Sequence, residues 1–65
     1  MLKMSFAENF KKARKAAGLT QKQVADCLGL DRSAIAQYER GVSFPQLRNI
    51  KKICELLKTT SDKLL

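Results

Sequence analysis

The chain has 65 residues, room for one small domain and too few for a second core. Hydrophobic residues make up 45% and charged residues 29%, a globular mixture that excludes a disordered chain. Thirteen Lys and Arg against six Asp and Glu leave a net charge of +7, which without His persists across physiological pH and points to a polyanionic partner.

The first predicted helix covers about Ser5 to Ala17. At about 100° per residue, Phe6, Phe10, Ala13 and Ala17 share one stripe, while Lys11, Lys12 and Lys15 project opposite. Arg14 borders the apolar stripe. Helix 2 is expected at about Gln21 to Leu28, with Thr20 as N-cap and Gln23 completing a T-x-x-Q capping box. Val24, Cys27 and Leu28 form its inward face. Helix 3, about Arg32 to Arg40, follows Asp31 as N-cap and centres on Ile35, with Tyr38 beside it. Helix 4, about Gln46 to Leu57, sets Leu47, Ile50, Ile53, Cys54 and Leu57 at helical spacing, and Pro45 suits its first turn. Thr60 is placed to cap a last short helix ending in Leu64 and Leu65.

Gly18, Gly29 and Gly41 each follow a helix-like segment, where a left-handed C-terminal cap favours a residue without Cβ. No segment alternates as a strand would. The expected architecture is all-α, a compact bundle of about five short helices in a single domain over residues 1–65. Between helices 2 and 3 lie only Gly29, Leu30 and Asp31. So tight a link sets the helices at a steep angle instead of folding them antiparallel, with Leu30 plugging the corner.

Other classes drop out on residue chemistry. The longest uncharged stretch, Gly41 to Leu47, is far shorter than the ~20 apolar residues of a membrane span. Cys27 and Cys54 cannot build a disulfide framework or, without His, a four-ligand zinc site; their apolar neighbours suggest small hydrophobes in a reducing cytoplasm. There is no nucleophile beside a base and no phosphate-cradling glycine loop, so the chain is not expected to be an enzyme or to carry a cofactor.

With Ile35 turned inward, Ser33, Gln37 and Arg40 face the other way at i, i+4 and i+7, and Arg32 stands in the first turn. Arg suits guanine O6 and N7, Gln suits adenine N6 and N7, and Ser discriminates less. Ala34 and Ala36 are small enough to let a helix approach a groove floor closely. On an isolated helix these residues would read as a solvated polar face. The tight turn, the glycine stops and the basic charge favour base reading.

The run A-G-L-T-Q-K-Q-V-A-D-C-L-G-L-D-R-S-A-I-A-Q-Y-E-R-G, from Ala17 to Gly41, resembles the helix-turn-helix of the phage repressor and Cro family, often termed the Xre type. The resemblance continues through Pro45, Leu47, Ile50, Ile53 and Leu57. It implies a five-helix domain that binds operator DNA as a dimer, helix 3 in the major groove and helix 2 across the backbone. On that basis Arg32, Ser33, Ala36 and Gln37 are the base-reading set. Gln21 would bond a phosphate, a role helped by the free amides and dipole at the start of helix 2. Arg40, Ser43 and Gln46, around the loop between helices 3 and 4, would clasp the backbone. Arg14 and Glu39 would form an ion pair tying helix 1 to helix 3. Glu39, four residues after Ile35, leans toward the core and suits that role.

Two positions depart from the family pattern. Lys58 stands where glycine is common, and Thr59 where an apolar residue is usual. Leu56, Leu64 and Leu65 either bury a patch against a second copy or complete the monomer's own core. The resulting expectation is a cytoplasmic, sequence-specific transcriptional regulator, above all a repressor, binding double-stranded DNA at a two-fold-related operator as a homodimer. No membrane and no small-molecule ligand is implied. The rival is a protein-interaction module, such as an antitoxin masking its toxin, for which the chain offers no separate binding segment.

Overall fold

A computed structural model describes residues 6–64. Five helices follow in order: α1 (Phe6–Ala16), α2 (Gln21–Leu28), α3 (Arg32–Arg40), α4 (Leu47–Leu57) and α5 (Ser61–Leu64), with no strand among the described residues. One core joins them. Phe10 of α1, Val24 of α2, Ile35 of α3, Ile53 of α4 and Leu64 of α5 are at most 1% exposed, so every helix contributes a side chain removed from water. Phe6 stacks on Phe10 at 5.4 Å, and Phe10 meets Tyr38 edge-on at 6.3 Å.

The start of α2 and the three-residue link to α3 have the predicted form. Thr20 accepts from the Gln23 amide at 3.1 Å, and the Gln23 side chain accepts from the Thr20 amide at 2.8 Å, a reciprocal box that starts α2. Gly29 ends it at φ 71°, ψ 30°, its N–H directed at the Ala25 and Asp26 carbonyls, while Leu30 N–H bonds Ala25 O at 2.8 Å. A Cβ at Gly29 would meet nothing within 4 Å, so backbone conformation and not crowding calls for glycine there. Leu30 packs against the core and fills the corner.

Several expectations need correction. Ala17 leaves the helix and lies exposed in the turn after α1; Arg14 takes the buried place on that side. On α2 the inward residues are Val24, Ala25 and Leu28, and Cys27 is exposed. It lies about 100° round the helix from the centre of that face, too far to reach the core. Asp31 adopts N-cap backbone angles, but its exposed carboxylate makes no capping hydrogen bond. It remains in water and acts on the helix end through charge.

Pro45 is buried just ahead of α4, whose N-cap is Gln46 in extended conformation, so the proline stands outside the first turn. Leu47, the first residue of α4, is 73% exposed, because that end of the helix extends past the core. Its buried stripe is Ile50, Ile53 and Leu57, with Cys54 half-buried.

The C-terminal departures resolve physically. Lys58 caps α4 in the left-handed region at φ 54°, ψ 47°, performing with a side chain the turn that glycine makes without strain. Leu64 is buried in the chain's own core, and the Asn9 side chain donates to its carbonyl at 2.9 Å, fastening α5 to α1. Leu56 is half-buried against that core, and Leu65 lies outside the described residues. Lys58→Gly is expected to stabilise the fold by roughly 0.5–1 kcal/mol, raising Tm by about 2–8 °C in a thermal melt. Burial, and then the charge of Glu55, push the Cys54 thiol above its ordinary pKa. In folded protein under mildly alkaline conditions, limiting iodoacetamide should therefore modify exposed Cys27 before Cys54, an order read by peptide mass mapping.

Candidate nucleic-acid interface

The polar edge of α3 stands clear of the core. With Ile35 fully enclosed, Arg32, Ser33, Gln37 and Arg40 are all exposed, and Ala34 and Ala36 between them are half-buried. The loop after α3 is drawn back toward this edge. Val42 N–H bonds Gln37 O at 3.0 Å, and the Ser43 hydroxyl donates to Gln37 Oε1 at 3.4 Å. Phe44, in the same loop, meets Phe6 edge-on at 4.9 Å. Pro45, the next residue, is buried. A loop fixed by a ring contact and a buried proline presents its polar atoms with little ordering left to do.

Gln37, Ser43 and Gln46 line one groove between α3, the loop and the start of α4. Arg48, Asn49 and Lys52 complete its α4 wall, and sequence reasoning passed over these three. A signal was available: Arg48 and Lys52 are four residues apart, so one face of α4 carries both cations. Arg48 Nε also donates to Gln46 Oε1 at 3.3 Å. Arg40, at the last turn of α3, is not among the groove-lining residues. Cations, amides and a hydroxyl in one concave strip can engage a string of anionic oxygens.

Behind this edge sits the ion pair. Arg14 Nε donates to Glu39 Oε2 at 2.5 Å and Nη2 to Oε1 at 3.2 Å, while Nη1 donates to the Leu19 carbonyl at 2.7 Å. The two side chains are 11% and 4% exposed. Gln21, half-buried at the start of α2, donates Nε2 to Glu39 Oε1 at 3.1 Å and accepts from Arg32 Nη1 at 3.2 Å. Among the described residues no buried side-chain nitrogen or oxygen lacks a partner, which is the condition under which enclosed charge is tolerated. The exposed Lys22–Asp26 pair at 3.4 Å is of the solvent-screened kind that adds little.

Two helices joined through Gly29, Leu30 and Asp31, the second with an exposed polar edge, define a helix-turn-helix protein. The helix-turn-helix family model matches residues 10–64, and the chain belongs to that family, in the branch of the phage repressors and Cro. It is 42% identical over 60 residues to the uncharacterized HTH-type transcriptional regulator YqaE of Bacillus subtilis (strain 168), covering 92% of this chain and 52% of that protein. It is 34% identical over 61 residues to the cryptic phage CTXphi transcriptional repressor RstR of Vibrio cholerae, covering 94% and 54%. Among solved structures, the restriction-modification controller protein C.AhdI from Aeromonas hydrophila superposes with a TM-score of 0.82 at 35% identity, over 92% of this chain and 91% of that one. The P22 c2 repressor in complex with a synthetic operator superposes with a TM-score of 0.89 at 25% identity, over 97% and 96%. The chain spans about half the length of the curated relatives it matches.

The ion pair yields a stability prediction. Glu39→Leu alone should cost about 3–5 kcal/mol by stranding the Arg14 charge, against a total of roughly 3–10 kcal/mol for a domain this size. Arg14→Met combined with Glu39→Leu should recover much of that loss in urea unfolding. Equal losses in the two variants would contradict the stranded-charge account.

Proposed function

We propose that this chain is a sequence-specific DNA-binding transcriptional regulator, acting as a repressor, with residues 1–65 forming one DNA-binding domain. It binds a two-fold-related operator as a homodimer, α3 entering the major groove and α2 lying across the backbone. The observation that carries this reading is the free polar edge of α3, with Arg32, Ser33 and Gln37 exposed beside a groove walled by Arg48 and Lys52. The likeness to a P22 repressor solved with operator, and to a named phage repressor, supports it.

The roles divide by chemistry. Arg32, Ser33 and Gln37 read base edges, and Ala36 lets the helix seat closely. Gln21, Arg40, Ser43 and Gln46 hold phosphates, with Arg48 and Lys52 adding charge along the α4 wall. Occupying the site is the whole action, because a bound dimer excludes polymerase from the same duplex.

Selection of bound duplexes from a random pool tests this directly. The selected sites should show two-fold symmetry with half-sites about 34 Å apart, or a multiple of that, and affinity should fall steeply with salt. A pool that yields no preferred sequence sinks the proposal. On the selected duplex, Gln37→Ala should lose about 1–3 kcal/mol relative to random DNA. Gln21→Ala should weaken both duplexes, with a smaller selective loss than Gln37→Ala. Titrations of the two variants at fixed ionic strength distinguish reader from anchor.

A further inference from the structure

Glu39 does more than tie α1 to α3. Its Oε1 accepts from Arg14 Nη2 at 3.2 Å and from Gln21 Nε2 at 3.1 Å. An ionised carboxylate has no proton to give, so the Gln21 side chain must turn its nitrogen inward. Gln21 Oε1 then faces outward, where Arg32 Nη1 donates to it at 3.2 Å. The bonds form one directed chain, from the enclosed carboxylate through an amide to an exposed guanidinium. A flipped Gln21 would set oxygen against oxygen at Glu39 and offer Arg32 a donor where it needs an acceptor.

We propose that Glu39 is a positioning residue for base selection, setting the aim of Arg32 through the Gln21 amide. This rests on the reading of α3 as the helix that probes DNA. An exposed arginine samples many rotamers, and ordering it on binding subtracts from affinity and selectivity alike. The bond to Gln21 restrains Arg32 before DNA arrives. It uses one of five guanidinium N–H groups, so a pair remains for guanine O6 and N7. Gln21 Nε2 carries a second hydrogen, which the proposed phosphate bond would use. One amide thus serves as backbone anchor and as guide for the reader beside it.

The test uses the 65-residue chain on its selected duplex and on single-base-pair variants of that duplex. Arg32→Ala first identifies the base pair whose preference depends on Arg32. Glu39→Gln removes the acceptor-only group that orients Gln21, and discrimination at that base pair should fall about 2- to 10-fold. Discrimination at the base pair that depends on Gln37 should be unchanged. Because Glu39→Gln strands Arg14, the combined Arg14→Met and Glu39→Gln variant is measured alongside it. Discrimination is a ratio of two affinities, from which the folded fraction cancels. Gln21→Met should lose the same discrimination in addition to its loss of affinity for every duplex. If these variants discriminate at the Arg32-dependent pair as the parent does, the positioning role is overturned while the DNA reading stands. The same holds if Arg32→Ala changes no base preference. If the parent chain prefers no duplex, the DNA reading fails and the positioning role with it.

Discussion

A carboxylate withdrawn from water requires donors on several sides at once, and Glu39 finds them on two other helices. Arg14 reaches it from α1 and Gln21 from α2, while Glu39 itself belongs to α3. The same Arg14 guanidinium bonds the Leu19 carbonyl in the turn between α1 and α2. Apolar packing alone is non-directional and tolerates small rotations of one helix against another. The fork of Arg14 on Glu39 does not, because its bonds weaken steeply out of line. The interaction therefore sets the rotation of α3 about its own axis, and that rotation decides which residues α3 offers to solvent.

The second constraint is the corner. Gly29 in the left-handed region lets α2 stop within one residue and α3 begin after Leu30 and Asp31. Leu30, turned into the core, keeps the corner from opening. Lys58 shows the opposite balance at the end of α4. There the backbone adopts the same left-handed turn with a side chain attached, because α5 must fold back for Leu64 to reach the core. Burial of a leucine, about 1.5–3 kcal/mol, outweighs a backbone cost of about 1–2 kcal/mol.

Charge is distributed to match. The lysines of α1, Lys11, Lys12 and Lys15, are exposed away from the apolar stripe, where they raise the long-range positive field. The cations that meet the loop groove are on α4, at Arg48 and Lys52. One set of cations adds to a field over distance, and the other sits where close contact with an anion is geometrically open.

Much of this was legible in the chain. The bounds of α2 and α3 follow from local chemistry, since the Thr20–Gln23 box and the glycines at 29 and 41 act within a few residues of themselves. Periodicity likewise located Phe10, Val24, Ile35 and Ile53 in the core. It misplaced Ala17 and Leu47 because a helical stripe does not show how far along the helix the core extends, and Cys27 because it does not show how wide the buried face is. The polar edge of α3 could be read once Ile35 was turned inward. The α4 wall could not, because its distance from Gln37 depends on how the loop folds. Nor could the link from Glu39 through Gln21 to Arg32. Its members are 18 and 11 residues apart, and only the packing of three helices brings their atoms within bonding distance. Amino-acid order by itself determined the bounds of α2 and α3 and the central apolar residue of each of the first four helices. Tertiary structure alone decided which polar side chains meet, because hydrogen bonds between distant residues require atomic positions that no local preference can specify.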